Sequence, residues 1–280
     1  MNFLITGAGG QVGQELQKLL PDAHALTHSQ LDISDEFAVK NAVQTIQPQI
    51  IINAAAYTAV DKAEEESEKA HLINHIGAKN LAIAAQQQNA ILLHISTDYV
   101  FDGNKTEPYR ETDTTNPQSV YGKSKLLGEQ AILAHCEKAM ILRTAWVFGR
   151  YGKNFVKTML QLGTTRNHLR IVADQFGSPT EAKDIAQALI CMAKNPQFGI
   201  YHYSGMPYVS WFEFAQHIFQ AAEKQSILHA PQLEAISSEE YPTAAKRPKN
   251  SRLNLDKITN TFGILPSDWQ SHLNNLNHYL

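Results

Sequence analysis

Short apolar runs alternate with amphipathic stretches along the first half of the chain. The runs at residues 3–5, 50–52 and 91–95 are almost wholly apolar, which is typical of strands buried on both faces of a parallel sheet. Between them, residues 11–20 and 36–46 place apolar side chains at helical spacing. This alternation predicts an α/β fold in which helices cover both faces of a doubly wound parallel sheet.

The pattern loosens after residue 149, where amphipathic helices are separated by longer polar segments. The predicted elements there are helices at residues 154–162, 182–194, 211–223 and 258–262 and strands at residues 169–173 and 201–203. We expect this half to form a smaller lobe, discontinuous in sequence, that closes a cleft over one edge of the sheet.

Three glycines follow the first predicted strand and open the first predicted helix. Gly7 permits a tight turn, Gly10 lets backbone amides approach a pyrophosphate at the helix N-terminus, and Gly13 lets the helix lie close to the strand. A glycine turn in this position favours dinucleotide binding over a purely structural turn. We therefore predict that residues 1–149 bind NADPH or NADH, with residues 178–196 packing back on them, and that residues 150–177 and 197–280 form the substrate lobe.

The end of the second predicted strand bears on which dinucleotide binds. Enzymes that use NAD usually carry a carboxylate there for the ribose diol, and residues 27–30 contain none. His28 and Ser29 can hydrogen-bond a 2′-phosphate, which favours NADPH and leaves NADH open. Asp32 can accept a hydrogen bond from the adenine amino group or cap the next helix.

Small and polar residues follow the strand at residues 50–52. Asn53 and the alanines Ala54, Ala55 and Ala56 leave room for a flat ligand at the carboxyl edge of the sheet. The charge run at residues 61–66 is expected to be solvated surface. His71 and His75 have the spacing of metal ligands on a helix, but no third ligand is evident, so we predict surface histidines and no metal.

The candidate chemistry lies in a predicted helix at residues 119–135. Tyr121 and Lys125 are four residues apart, so both side chains lie on one helix face. A neighbouring ammonium favours a phenolate and lowers the pKa of the phenol, which can then exchange a proton with a substrate oxygen. Thr97, Asp98 and Tyr99 leave the strand at residues 91–95 at the same edge, where they can meet a substrate.

Composition narrows the class of protein. The chain has 280 residues, 43% hydrophobic and 18% charged, the balance of a soluble globular protein. A net charge of −3 gives no reason to expect a nucleic acid or an anionic membrane as partner. Two cysteines cannot form a disulfide framework, and the chain enters a strand at once without a signal sequence, so we expect a cytoplasmic protein.

The motifs above, in this order and spacing, resemble those of the extended short-chain dehydrogenase/reductases, which have a Rossmann-type sheet. Further stretches are similar to the family of the dTDP-4-dehydrorhamnose reductases within that superfamily. These stretches are residues 53–64, 96–103, 143–149, 154–160, 172–180, 199–204 and 247–253. The resemblance implies an NAD(P)H-dependent oxidoreductase that reduces the C4 carbonyl of dTDP-4-dehydro-L-rhamnose.

The resemblance also implies a role for individual residues. Tyr121 would be the proton donor, Lys125 would bind the nicotinamide ribose, and Thr97 would tune the tyrosine. The implied cofactor contacts are Gly10, Gln11, Val12, Asp32, Ile33, Ala56, Tyr57 and Thr58. The implied substrate contacts are Asp98, Trp146 and Asn154, and Arg247, with Lys249 and Arg252 nearby, can bind the diphosphate.

Two alternatives stay open. A related sugar-nucleotide ketoreductase or epimerase would share most of these motifs, and a non-catalytic NADP-binding regulatory subunit would share the fold. Some relatives carry magnesium at a dimer interface, and Glu15 is the one glutamate that could correspond. Without convincing partner glutamates we predict no metal, and we leave a homodimer possible.

Overall fold

A computed structural model describes residues 1–280 as strands, helices and connecting loops. The strands are β1 (Phe3–Thr6), β2 (His24–Leu26), β3 (Ile50–Asn53), β4 (Ile91–Thr97), β5 (Ala139–Thr144), β6 (Val147–Phe148), β7 (His168–Val172), β8 (Phe176–Gly177), β9 (Thr180–Glu181), β10 (Gly199–His202), β11 (Val209–Ser210) and β12 (Gln232–Ile236). Six of these form one parallel sheet in the order β10-β5-β4-β3-β1-β2.

Ten α-helices connect or flank the strands. They are α1 (Gln11–Leu19), α2 (Glu36–Ile46), α3 (Ser67–His71), α4 (Ala78–Gln88), α5 (Val120–His135), α6 (Phe155–Gly163), α7 (Ala182–Lys194), α8 (Trp211–Lys224), α9 (Asp256–Phe262) and α10 (Trp269–His272). A π-helical turn, Leu72–Gly77, joins α3 to α4, and 3₁₀ turns occur at Lys62–Glu64, Asp98–Val100, Ser238–Glu240 and Leu273–Tyr279.

The large sheet is covered on both faces, as the continuous apolar runs predicted. Successive side chains of a strand point to opposite faces, so Ile5 and Ile52 pack with α1 and α7 in one core while Leu4 and Ile51 pack with α2, α4 and α5 in another. The fold is therefore a doubly wound α/β sheet of the Rossmann type, and α7 packs back on it as expected.

A separate core holds the smaller lobe together. Phe148, Phe214 and Trp269 bring together β6, α8 and α10 in one apolar cluster. β7 pairs in parallel with β12, a strand that the sequence pattern did not predict.

The predicted domain boundaries require a correction. Residues 197–280 were assigned to the smaller lobe, but Gly199–His202 forms β10, which pairs with β5 at the edge of the large sheet. Leu255 and Ile258 also belong to the core of the large sheet. An edge strand of four residues carries too weak a pattern for its partner to be read from sequence.

No helix in the structure has both the length and the apolar character needed to cross a membrane. The two cysteines are unpaired, Cys136 being buried and Cys191 exposed.

Candidate active site

The ligand-binding edge of the large sheet lies between β1 and β3. β2 flanks β1 on one side and β3 flanks it on the other, so the chain reverses its winding direction here. In open α/β sheets, ligands bind in the crevice beyond the carboxyl ends of two such strands. Thr6 and Asn53 end the strands side by side, and the Thr6 hydroxyl donates to Oδ1 of Asn53 at 2.7 Å.

The glycine turn follows β1 at this edge. Gly7 has a φ of 70°, and a Cβ there would lie 2.4 Å from the amide nitrogen of Ala55. A Cβ on Gly13 would lie 2.2 Å from the carbonyl oxygen of Gly7, so glycine lets α1 approach the turn. Gly10 is the N-cap of α1, and neither a capping side chain nor an acidic residue stands in the first turn. The open cradle and uncapped helix end fit a dinucleotide pyrophosphate.

Alanine at Gly7 and at Gly10 should have different effects. At Gly7 the strained φ and the backbone collision should cost about 1–3 kcal/mol of unfolding free energy. At Gly10 a Cβ would meet only the Gly7 carbonyl oxygen, at 3.3 Å, so Gly10→Ala should fold normally. Its methyl group would occupy space needed by the pyrophosphate, so NADPH should bind about tenfold more weakly. Urea unfolding and NADPH titration measure both effects; unchanged NADPH affinity in Gly10→Ala would contradict the assignment.

The segment beyond β3 lies against the turn. The N–H of Ala54 donates to the Thr6 carbonyl at 3.1 Å, and the N–H of Ala55 donates to Oδ1 of Asn53 at 3.0 Å. Ala56 is partly buried and Thr58 is exposed. The predicted cofactor segment therefore runs along the strand edge next to the glycine turn.

Asn74 fixes this segment and was missed by the sequence analysis. It accepts the N–H of Tyr57 at 2.8 Å and donates to the Tyr57 carbonyl at 3.0 Å. Its amide also donates to Oγ of Ser124 on α5 at 3.0 Å. Asn74 lies in the π-helical turn, a feature often found at functional sites. The available signal was an asparagine within an otherwise apolar helical stretch.

The adenine end of the predicted site lies beyond β2. Asp32 accepts the N–H and the hydroxyl of Ser34 at 2.9 and 2.7 Å, and the hydroxyl contact is the main cause of its lowered pKa. The helix-capping alternative for Asp32 was wrong, because Asp35 caps α2 by accepting the N–H of Ala38. Ile33 is buried beside Asp32.

His28 and Ser29 are exposed at the end of β2. The neighbouring Thr27 hydroxyl lies 3.0 Å from Oγ of Ser29 and donates to Oε1 of Gln30 at 2.9 Å. No carboxylate stands in this loop, so the polar groups available to a ribose or its phosphate are an imidazole and hydroxyls.

Tyr121 is held in the first turn of α5. Ser119 caps the helix by accepting the N–H of Gly122 at 3.1 Å, and Oε1 of Glu64 accepts the N–H of Val120 at 2.9 Å. The Tyr121 side chain is 9% exposed. The Thr97 side chain lies close enough to this phenol to affect its pKa, so two predicted catalytic residues meet at the carboxyl end of β4.

The pKa of Tyr121 differs from the sequence prediction. Burial raises this pKa well above the ordinary tyrosine value; the Thr97 side chain opposes the rise, and the charge of Asp98 adds to it. We predicted that Lys125 lowers the pKa of Tyr121, which is wrong for this structure. Spacing along a helix gave the shared face but not the burial of the phenol. Tyr121 is therefore a protonated phenol across the physiological range, the form that a proton donor needs.

Lys125 is 1% exposed. Its Nζ donates to the carbonyl of Ile95 at 2.7 Å and lies 3.1 Å from Nε2 of His94. Burial lowers the pKa of Lys125 to about 8, although the carboxylate of Glu129 opposes this. In this arrangement the ammonium group is directed to β4 rather than to the Tyr121 oxygen.

Asp98 is a buried carboxylate at the same edge. Its Oδ1 accepts the Thr97 hydroxyl at 3.0 Å, while Oδ2 is buried without a hydrogen-bond partner. Burial raises the pKa of Asp98 to about 6, partly offset by hydrogen bonds from Ser251 and Thr97. An unpartnered carboxylate oxygen beside Tyr121 suits a substrate hydroxyl.

Asp98→Asn should stabilise the protein at alkaline pH. The raised pKa means that the folded state retains a proton between about pH 4 and about pH 6 that the unfolded state has lost, so stability falls as pH rises through that window. Above that window the ionised carboxyl lowers the free energy of unfolding by up to about 3 kcal/mol. Burying the asparagine amide offsets part of this, so Asp98→Asn should raise the free energy of unfolding by about 1–2 kcal/mol. Urea unfolding at about pH 8 and about pH 4 measures this gain; the same gain at both pH values would contradict the prediction.

Arg247 does not point freely into the cleft as the diphosphate prediction supposed. Its Nη1 donates to the Tyr99 hydroxyl at 2.9 Å and its Nη2 forms a salt bridge with Oδ2 of Asp61 at 2.5 Å. The Tyr99 ring makes an edge contact with the Tyr121 ring, at 5.5 Å between centroids. Arg247 therefore anchors its loop beside the candidate proton donor.

The charge run at residues 61–66 is more than solvated surface, contrary to the prediction. Besides the Asp61 salt bridge and the Glu64 contact with α5, Glu66 accepts the Tyr57 hydroxyl at 2.9 Å. These three carboxylates connect the cofactor segment, α5 and the loop of Arg247. Charge alone cannot distinguish such contacts from a solvated face.

Trp146 and Asn154 lie where the smaller lobe meets the sheet. Trp146 stacks on Trp211 with centroids 3.5 Å apart and has a φ of 47° in the left-handed region. A Cβ on Gly177 would lie 2.4 Å from the Trp146 ring. Nδ2 of Asn154 donates to Oε1 of Gln11 at 3.1 Å, joining α6 to the first turn of α1.

Two clefts lie near these residues. One of about 460 Å³ is lined mainly by the segment that follows β4 and by the loop of Arg247, including Asp102, Lys249 and Arg247. Arg252, the third predicted cation of this loop, instead donates to the Thr106 carbonyl. A larger groove of about 760 Å³ lies between α3 and α5 and contains none of the predicted site residues. Of the predicted site residues, the smaller cleft includes Arg247 but not Tyr121, Thr97 or Lys125.

No group of three or more His, Cys, Asp or Glu side chains is arranged to hold a metal ion. Glu15 is buried, with Arg150 at 3.3 Å. His71 is exposed and His75 partly buried, and the two hydrogen-bond each other at 3.2 Å.

Comparisons with known proteins agree on one family. The model of the RmlD substrate binding domain matches residues 1–279. The dTDP-4-dehydrorhamnose reductase of Aggregatibacter actinomycetemcomitans is 50% identical over 99% of this chain and 98% of its own. The crystal structure of such a reductase from Clostridium acetobutylicum superposes with a TM-score of 0.93 at 41% identity, covering 98% and 97% of the two chains. One from Bacillus anthracis in complex with NADP gives a TM-score of 0.92 at 41% identity, covering 98% of both.

Proposed function

The chain belongs to the RmlD substrate-binding-domain family, and we propose that it reduces dTDP-4-dehydro-L-rhamnose to dTDP-L-rhamnose with Tyr121 as proton donor. It is an NADPH-dependent oxidoreductase of the extended short-chain dehydrogenase/reductase type. The observation that carries the role of Tyr121 is its position: a buried, protonated phenol beside Thr97 at the strand edge that also holds the glycine turn.

Each side chain has a separate role in carbonyl reduction. NADPH, when bound, supplies the hydride to C4. Tyr121 gives its phenolic proton to the oxygen of C4 as the alkoxide forms, which completes the alcohol. The Thr97 hydroxyl, which donates to Oδ1 of Asp98 in this structure, turns to donate to the tyrosinate oxygen left behind. Lys125 binds the nicotinamide ribose and brings a positive charge towards that tyrosinate.

We place the substrate against Tyr121, with Asp98 as the acceptor of a sugar hydroxyl. Tyr99 and Trp146 border the sugar, and Asn154 lies on the side towards Gln11. Lys249 lines the cleft beside Arg247 and contacts the diphosphate.

The dinucleotide lies from the glycine turn to β2. Gln11 and Val12 lie in the uncapped first turn of α1, next to the pyrophosphate site, and the backbone of residues 54–58 runs along the dinucleotide. His28 and Ser29 contact the 2′-phosphate and Asp32 with Ile33 the adenine. We place the reaction in the cytoplasm.

The deciding experiment mixes purified protein, NADPH and dTDP-4-dehydro-L-rhamnose. We expect steady loss of NADPH absorbance, with one equivalent of dTDP-L-rhamnose formed per NADPH consumed. An epimerase would convert the sugar without net NADPH consumption. A regulatory subunit would bind NADPH and leave the sugar unchanged, and either result would refute the proposed reaction.

A further inference from the structure

A buried chain of polar side chains runs beneath the active site from β1 to α5. Thr6, Asn53 and His94 lie near the carboxyl ends of the adjacent strands β1, β3 and β4, where Asn53 is the register partner of both Thr6 and His94. Lys125 follows on α5. All four side chains are at most 1% exposed. Polar groups buried this deeply are normally hydrogen-bonded, so the donor and acceptor at each link can be assigned.

The N–H of Ala55 fixes the direction of this chain. A backbone N–H can only donate, and it does so at 3.0 Å to Oδ1 of Asn53. Asn53 therefore turns its NH₂ group towards Nδ1 of His94, at 2.9 Å. Nδ1 must then be an acceptor, and a neutral imidazole with a bare Nδ1 carries its proton on Nε2.

That Nε2 proton faces Nζ of Lys125 at 3.1 Å. An ammonium group has only donors, whereas an uncharged amine has a lone pair that can accept the Nε2 proton. The amine still has protons to donate to the carbonyl of Ile95, at 2.7 Å. Every link from Thr6 to Ile95 is therefore satisfied only when Lys125 is uncharged.

The charged groups around Lys125 do not oppose this assignment. Glu129, one turn along α5, is the carboxylate whose charge reaches Lys125, and both its oxygens bind Arg143 of β5, at 2.9 and 2.6 Å. Burial is the largest cause that holds the pKa of His94 well below its ordinary value, so His94 itself stays neutral beside the uncharged amine. Tyr121 is an uncharged phenol.

We propose that His94 is a positioning residue that holds the uncharged amine of Lys125 against the sheet, and that the dinucleotide draws Lys125 away from His94 as an ammonium. The second half of this inference rests on the proposed function, because it takes Lys125 as a ligand of the dinucleotide. If Lys125 becomes an ammonium when the dinucleotide binds, the protein takes up a proton on binding in alkaline solution. NADPH affinity should then fall as pH rises above about 8, the pKa of Lys125 in this structure.

NMR of protein carrying ¹⁵N-histidine and ¹³C-labelled lysine, without added dinucleotide, tests the first half. We expect His94 to stay neutral with its proton on Nε2, and Lys125 to titrate near pH 8. His94→Phe should raise the pKa of Lys125 by about one unit, because the donor that favours the amine is gone. His94→Gln should restore the wild-type value, since the NH₂ group of Asn53 can donate only to the carbonyl oxygen of the new amide and so leaves the glutamine NH₂ facing Lys125.

His202→Phe is the matched control, because His202 is also buried but lies on β10, which β5 separates from β4. It should leave the titration of Lys125 unchanged. A wild-type His94 protonated on Nδ1, or a Lys125 titration that is the same in His94→Phe, would overturn the inference. If His94→Phe does not fold, the wild-type tautomer and the His94→Gln titration still decide.

Calorimetry of NADPH binding at about pH 9, in two buffers of different ionisation enthalpy, tests the second half. Wild-type protein should take up close to one proton per chain and His94→Phe about half as much, because its Lys125 is already about half protonated at that pH. No uptake by the wild type would refute the coupling to the dinucleotide. If the NMR titrations and the proton uptake are as expected but the sugar is not turned over, only the proposed reaction is refuted.

Discussion

Tyr121→Phe is expected to lower kcat by about 10²- to 10⁴-fold while the Kd for NADPH stays within about threefold of wild type. Phenylalanine keeps the ring that packs against Tyr99, so the local packing survives. Only the phenolic hydroxyl is lost, and with it the proton that the new alkoxide needs. Steady-state NADPH oxidation with the 4-keto sugar gives kcat, and fluorescence titration gives the Kd.

Tyr201→Phe is the matched control for the loss of a buried hydroxyl. Tyr201 is 3% exposed on β10, where its ring packs against Phe262. This variant should keep near-normal kcat and lose no more than about 1–2 kcal/mol of stability. Near-normal turnover by Tyr121→Phe would show that Tyr121 is not the proton donor. Asp98 would then be the next residue to test in that role.

Glu129→Ala is expected to lower the free energy of unfolding by about 3–5 kcal/mol. Glu129 is 1% exposed, binds Arg143 with both oxygens and accepts the Ser96 hydroxyl at 2.5 Å. Its removal leaves the guanidinium of Arg143, 2% exposed, without a counter-charge in the sheet interior. Urea unfolding monitored by circular dichroism measures the loss.

A double variant, Glu129→Met with Arg143→Met, distinguishes a buried unpaired charge from simple loss of packing. Replacing both partners by apolar side chains removes the unpaired charge, so most of the stability should return. A double variant as unstable as Glu129→Ala would show that the salt bridge itself contributes the stability.

The local pattern was sufficient to predict the large sheet apart from its edge strand β10. Continuous apolar runs gave β1, β3 and β4, and helical spacing gave α1, α2 and α5, each to within a few residues. Because the strands are parallel, their carboxyl ends meet at one edge, which brings Gly7, Thr97 and the helix of Tyr121 together. The glycine turn and the tyrosine were therefore predictable as neighbours from their order along the chain.

The contacts that set the charge of these groups were not predictable in this way. Arg247 binds Asp61 across 186 residues of sequence, and neither residue has a local pattern that identifies the other. Lys125 has the right spacing to face Tyr121, yet its amine lies against His94 of β4. Such pairings depend on how strands and lobes pack, so they emerge only in the folded chain.

The short edge strand β10 has a consequence for how the protein is made. β5 is complete at Thr144, but its neighbour β10 begins at Gly199. During synthesis β5 is therefore an open edge, able to pair with another chain, until the segment that covers it leaves the ribosome. A fragment ending at residue 149 contains the glycine turn and Tyr121 but lacks α7 and β10. We expect such a fragment to aggregate, so the nucleotide-binding half cannot be separated by simple truncation.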